Sequence, residues 1–359
     1  MVAGRPGWPD RRLIDRLGAA HPIIAAPMAG AAGVELAIGA IEGGGIGSLP
    51  CALLDPDTVR GQVAAVRAGA QGPLNLNFFC HRLPPAPDES AWRALLAPCY
   101  AKWGVAPPET TPPLRRPFDA AMAEAVEALR PEIVSFHFGL PNEPLLDRVR
   151  RSGAFVIGNA TSVAEALWLA ERGADAIIAQ GYEAGGHTGR FLPGGGDLIG
   201  LFALLPQVAD AVERPVIAAG GIADARGIAA ALRLGASAVQ IGTAYLACPE
   251  SLIAPPHRAA LGSDKARETV MTNLFTGGRA RGMRNRLIDA LGPLRPEAPP
   301  YPHAASALAP LRAAAEKRGQ GDFTPMWAGQ AAPLARAMPA RALTERLARE
   351  TLALIEGNA

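Results

Sequence analysis

The chain has 359 residues, 49% of them hydrophobic and 19% charged, which is enough apolar material for one large domain with an insertion or for two domains. With 35 lysines and arginines against 33 acids the formal net charge is +2, and no basic run marks a nucleic-acid surface. No apolar stretch is long enough to span a bilayer, the charged segment Met1 to Gly18 lacks a signal-peptide centre, and four scattered cysteines suit neither a disulfide framework nor a metal site, so a cytoplasmic protein is expected.

Apolar, β-branched runs bounded by Gly, Pro or Asn predict eight strands: Pro22 to Ala29, Gly45 to Leu49, Pro73 to Phe79, Ile133 to Gly139, Ala154 to Asn159, Ala174 to Gln180, Pro215 to Gly220 and Ala238 to Thr243. Helical segments alternate with them at Val34 to Glu42, Asp57 to Ala68, Ala120 to Leu129, Pro144 to Ser152, Val163 to Arg172, Leu201 to Val212 and Ala225 to Leu234. Such alternation means parallel strands with crossover helices, and eight units predict a closed (β/α)8 barrel, an α/β fold of TIM type. The cluster Gly43-Gly-Gly-Ile-Gly47 follows a helix and leads into a strand, the reverse of a dinucleotide fingerprint, and reads as a tight turn.

Two regions break the alternation. Cys80 to Pro117 carries Pro84-Pro85, Pro107-Pro108 and Pro112-Pro113 around a helical piece near Trp92 to Trp103. The tail beyond Gly262 has helical patches at Asp264 to Thr272, Ala305 to Arg318 and Ala340 to Ile355, split by the proline-rich Pro293 to Pro302. The expected organisation is a barrel from 1–79 and 118–262. A helical cap would come from the insertion after strand three (80–117) and the C-terminal region (263–359), with the final helix free to return to the barrel.

Active sites of such barrels lie at the carboxyl ends of the strands, with phosphate groups near strands seven and eight. Ala218-Ala-Gly-Gly-Ile222 ends strand seven and Gln240-Ile-Gly-Thr243 ends strand eight, so glycine-freed N–H groups with a helix behind them form an anion cradle that needs no lysine. The only lysines, Lys102, Lys265 and Lys317, lie at no strand end, which excludes Schiff-base chemistry. Asn77 ends strand three and Gln180 ends strand six, each able to offer donor and acceptor to a heterocycle edge. Ser135 and His137 share one face of strand four by period two. After strand six, Gly185 and Gly186 deliver His187, an imidazole whose unperturbed pKa near 6.5 leaves it largely neutral at pH 7.

The series Ala26-Pro-Met-Ala-Gly30, Leu74-Asn-Leu-Asn77, Val134-Ser-Phe-His-Phe-Gly139, Gln180-Gly-Tyr-Glu-Ala-Gly-Gly-His187, Ala219-Gly-Gly-Ile222 and Gln240-Ile-Gly-Thr243 resembles the motifs of the nitronate monooxygenases, formerly 2-nitropropane dioxygenases. Phe275-Thr-Gly-Gly-Arg-Ala-Arg-Gly282 and Trp327-Ala-Gly-Gln330 are similar to tail motifs of that family. The resemblance implies an FMN-dependent barrel, without metal, that oxidises alkyl nitronates, and neutral nitroalkanes if it can deprotonate them, with O2 to a carbonyl compound and nitrite. It implies Pro27, Met28 and Ala29 along the flavin ring, Asn77 and Gln180 on its polar edge, and Gly185, Gly186, Gly220, Gly221, Gln240, Ile241, Gly242 and Thr243 around its phosphate. His187 would be the catalytic base, with His137 and Ser135 on the substrate. Thr188 departs from the pattern, since many members carry arginine there, and this bears on substrate preference. The expected partners are a small molecule and O2, with no nucleic acid or membrane, in a monomer or homodimer. Two alternatives stand beside this reading: a flavin-dependent enoyl-acyl-carrier-protein reductase using NAD(P)H, and a phosphate-ligand binder without catalysis.

Overall fold

A computed structural model describes residues 7–108, 114–194 and 197–357. The expected Pro112-Pro113 turn and the first six residues lie outside these. Eight parallel strands form the central sheet: β1 Ile23–Ala25, β2 Gly47–Pro50, β3 Leu74–Phe79, β4 Ile133–His137, β5 Phe155–Ala160, β6 Ala176–Gln180, β7 Val216–Ala219 and β8 Ala238–Ile241. Each pairs with the next from β2 to β8, and β8 pairs with β1 through Ile23 to Val239. Closure is made at Ile24 and Ile46, where the Ala25 N–H donates to the Ile46 carbonyl at 3.0 Å and the Ile46 N–H to the Ile23 carbonyl at 2.9 Å. All eight expected strands are present in the expected order. Most of them read as largely apolar runs because both faces are buried, one by the barrel interior and one by helices, while β3 places the buried amides Asn75 and Asn77 on one face.

Helix starts follow from capping chemistry. The side chains of Asp55, Asp119, Asn142, Ser162 and Asp224 each accept a backbone N–H of the first turn, which fixes where the helices Pro56–Gly69, Ala120–Leu129, Glu143–Arg151, Val163–Glu171 and Ala225–Arg233 begin. The final helix, Ala340–Ile355, packs against Val34–Glu42 and Ala225–Arg233, the outer position a helix directly after β8 would take. Its buried Ala340, Leu343, Thr344, Leu347, Ala348 and Thr351 make one stripe at helical spacing.

The insertion and the tail share an apolar core of their own. Trp92, Leu96 and Trp103 from helix Ser90–Trp103 pack with Phe275, Leu287, Leu311 and Phe323. Trp92 Nε1 donates to the Ala304 carbonyl at 3.3 Å and the Tyr100 hydroxyl donates to that of Ala307.

The tail contradicts the sequence reading in one place. Asp264 to Thr272 is not a helix but a short 3-10 turn, Asp264–Arg267, followed by the strand Thr269–Thr272. That strand pairs antiparallel with Ala280–Met283, which in turn pairs with Gly186–His187. The β-branched pair Thr269 and Val270 already favours extended backbone, and a partner strand decides it. At β4 the strand ends at His137 rather than Gly139, because Phe138 and Gly139 both take positive φ, 68° and 88°. For an aromatic residue this is a strained conformation of the kind that collects at functional sites.

Candidate active site

A cavity of about 310 Å³ opens at the carboxyl ends of the strands, below the cap. Among the residues singled out from sequence, Pro27, Met28, Ala29, Asn77, His137, Gln180, Gly185, Gly186, His187, Gly220, Gly221, Gln240, Gly242 and Thr243 line it. Ser135 and Ile241 do not. Ser135 is buried one pleat below His137, and its hydroxyl and carbonyl accept from Asn77 Nδ2 at 2.8 and 3.3 Å. It holds the amide of Asn77, a lining residue, and does not itself line the cavity. Ile241, between two lining residues, turns by strand alternation into the apolar core.

The glycine loops fit a phosphate on their own geometry. Among the described residues, the N–H groups of Gly221, Ile222, Gly242 and Thr243 donate to no protein acceptor, and all four residues line the cavity. Gly221 has φ 69°, so only glycine turns its amide this way without strain. Gly185 is required for a different reason. A Cβ there would lie 2.5 Å from the Gly329 nitrogen, where the Trp327 to Gln330 segment crosses the loop. That crossing is held by the Gly329 N–H on Thr243 Oγ1 at 2.9 Å and the Gln330 N–H on the Glu183 carbonyl at 2.9 Å. The orphan donors suit the phosphate of FMN, and the lining amides of Asn77 and Gln180 suit the polar edge of its ring.

Gln180 has a second task. Its Oε1 accepts from Asn159 Nδ2 at 3.1 Å and from the Gly189 N–H at 2.7 Å, while its Nε2 donates to the His187 carbonyl at 3.0 Å. One amide hydrogen remains for the cavity. Glu165, buried and unmarked by any sequence motif, accepts from the Phe191 and Leu192 N–H groups at 2.7 and 3.1 Å and so ties down the chain beyond His187. Glu183 accepts the Leu201 N–H with both oxygens, at 3.0 and 2.9 Å, at the start of helix Leu201–Ala211. Arg281, fully buried, donates Nε to the Tyr182 carbonyl at 3.0 Å and lies 4.3 Å from the Tyr182 ring.

His187 sits on the short strand Gly186–His187, facing the cap. Its Nε2 is 2.8 Å from Thr276 Oγ1, and its ring has Tyr301, Trp327 and Phe138 around it at 5.2, 5.5 and 6.3 Å between centroids. Burial holds the imidazole well below its ordinary pKa, and the charges of Arg115, His137 and His81 push the same way. The unperturbed titration expected from sequence is therefore corrected: His187 is neutral throughout the physiological range. His137, hydrogen-bonded to the His187 backbone, is pushed down to about 4 by burial, and so is His257, which also lines the cavity.

These histidines predict acid sensitivity. Each has a folded pKa below its unfolded value near 6.5, so the unfolded chain binds protons first. Their contribution to stability is full above pH 6.5 and is lost as pH falls from there through about 4. The loss grows as pH falls through this window, because at both positions the fold prefers the neutral imidazole. The thermal midpoint should fall steadily between pH 7 and 4.5, and a flat profile over that window would contradict the buried neutral histidines.

Comparison with known proteins agrees with this geometry. The sequence model of the nitronate monooxygenase family matches residues 10–350. A nitronate monooxygenase of Paraburkholderia phytofirmans is 43% identical over 96% of both chains. Among solved structures, nitroalkane oxidase from Streptomyces ansochromogenes superposes with a TM-score of 0.88 at 36% identity, over 96% of this chain and 99% of that one. FabK from Thermotoga maritima superposes less well, with a TM-score of 0.72 at 26% identity over 96% and 97%. The chain is an enzyme and belongs to the nitronate monooxygenase family.

Proposed function

We propose that the enzyme is a cytoplasmic FMN-dependent oxidase of alkyl nitronates that uses O2 and releases a carbonyl compound and nitrite. The observation that carries this reading is that one cavity joins a phosphate cradle with orphan N–H donors to a caged, neutral imidazole. Bound FMN would supply the electron acceptor and hand electrons on to O2. Gly185, Gly186, Gly220, Gly221, Gln240, Gly242 and Thr243 would hold its phosphate and ribityl chain. Pro27, Met28 and Ala29 would floor the ring, and Asn77 and Gln180 would meet its polar edge. The barrel (1–79, 118–262), with the final helix Ala340–Ile355 returned to it, carries the cofactor in this account, and the rest of the insertion and C-terminal region (80–117, 263–339) closes over the substrate.

His187 would serve as base for a neutral nitroalkane. With Nε2–H donated to Thr276 Oγ1, Nδ1 keeps the lone pair that takes the α-proton. His137 beside it would contact the substrate. Trp327 and Tyr301, whose rings pack on the imidazole, would limit water around it once substrate is bound. The test is a coupled assay on purified enzyme, in which a pre-formed alkyl nitronate should drive O2 uptake and nitrite release together. Absence of both, with turnover of an enoyl thioester by NADPH, would move the assignment to the reductase reading.

A further inference from the structure

The cavity has an unbalanced charge on its cap side. Two cationic side chains line it, Arg115 and Arg312, and one carboxylate, Glu183. Glu183 is taken up by the Leu201 N–H, and Arg312 Nε is paired with Glu316 Oε1 at 2.8 Å. Arg115 has no carboxylate within ion-pair reach among the described residues, although its neighbour Arg116 lies 3.7 Å from Asp119. A cation at a part-buried site without a counter-ion is poorly solvated and attracts an anion from the cavity.

Arg115 is also well anchored. Its carbonyl accepts from His81 Nε2 at 3.0 Å, and the His81 ring packs edge-on against Tyr301 at 4.9 Å, which in turn stands 5.2 Å from His187. Beside the Arg115 side chain is the Tyr301 hydroxyl, buried behind the cavity lining, where burial pushes its pKa up and the guanidinium opposes that shift. A guanidinium without a carboxylate partner among the described residues thus lines the same cavity as the imidazole, near enough for its charge to act on it.

We propose that Arg115 is a specificity-determining residue: its guanidinium receives the paired oxygens of a planar nitronate anion and selects it over the neutral nitroalkane. This rests on the nitronate reading above. A nitronate carries a net negative charge concentrated on two coplanar oxygens, the geometry a bidentate guanidinium contact matches, whereas the neutral nitro group offers no net charge. The same positive charge disfavours protonation of His187, so the base stays neutral and the anion stays unprotonated beside it. His137, His81 and Arg115 are the titratable or charged groups that face His187, Thr276 bonds to it, and Tyr301 and Trp327 pack on it.

The test compares Arg115→Met and Arg115→Lys with the wild type, all FMN-replete and with matched melting points. Nitrate, a planar redox-inert anion, serves as the binding probe by calorimetry, which needs no turnover and so does not depend on the oxidation reading. Nitrate affinity and the KM advantage of nitronate over neutral nitroalkane should each fall roughly 10- to 100-fold in Arg115→Met, the range of a charge-assisted hydrogen bond, with Arg115→Lys in between. The acidic limb of the pH profile should move upward in Arg115→Met and stay in Arg115→Lys, a change that a merely structural role would not produce. Equal losses for the anionic and neutral substrates, unchanged nitrate binding, or loss of FMN in place of loss of anion affinity would overturn the proposal. Loss of nitrate binding in an enzyme that never oxidises nitronates would keep Arg115 as an anion site and sink the oxidation reading alone.

Discussion

Turnover of a neutral nitroalkane is expected to fall by roughly 10²–10⁴ in His187→Asn, the usual share of a positioned general base. The substitution removes the imidazole proposed to take the α-proton while keeping a polar side chain near Thr276 Oγ1. FMN retention should not change, because the orphan donors that suit its phosphate lie on Gly221, Ile222, Gly242 and Thr243. A pre-formed nitronate has already lost that proton, so its oxidation should fall far less. Both substrate forms must be assayed on one preparation before they interconvert. Equal losses would make His187 a positioning group. Because burial keeps the imidazole well below its ordinary pKa, the wild-type activity toward the neutral form should hold down to pH values below 6.5 before it declines.

Gly242→Asp is expected to weaken FMN binding by at least ~10²-fold. Gly242 is the cleanest probe of the cradle, since its φ of −104° suits any residue and a Cβ there meets only the Ala26 Cβ and Met28 Sδ, both at 3.6 Å. A carboxylate at this position therefore enters the cavity without breaking the fold. A unit charge about 5 Å from another, at an effective dielectric near 20, costs about 3 kcal/mol, which is the stated factor. Gly242→Ala should retain the cofactor and serves as the control. The measurement is the dissociation constant of FMN from flavin fluorescence. Equal affinity for FMN in the two variants would put the phosphate elsewhere in the cavity.

The barrel was legible because its signals are local. Parallel strands buried on both faces read as apolar runs, and capping residues such as Asp55 and Asp224 mark helix starts within three residues. Period two correctly put Ser135 and His137 on one face, but a face says nothing of depth. One pleat separates the residue that lines the cavity from the one that braces Asn77. The Ile241 side chain lies in the core for the complementary reason, since a strand-end motif lends both faces to one label. The cage around His187 had no local signal at all. Thr276, Tyr301 and Trp327 come from 89 or more residues away, and the two-residue strand that holds His187 is too short for any periodicity. The Phe275 to Gly282 motif hinted at importance without a role, which the structure supplies through Thr276 at the imidazole and Arg281 under Tyr182. The depressed pKa of His187 likewise depends on burial by the cap and on Arg115, neither of which a glycine-rich loop reveals.

The central claim, a flavin site built to take electrons from a nitronate, is tested most directly by anaerobic mixing of the purified enzyme in a stopped-flow spectrometer. The account predicts a protein that carries noncovalent FMN, whose visible absorbance is bleached rapidly by a pre-formed alkyl nitronate, restored by O2, and left unchanged on the same timescale by NADH or NADPH. A protein that binds no flavin, or one whose flavin is bleached by NADPH and not by the nitronate, would contradict it.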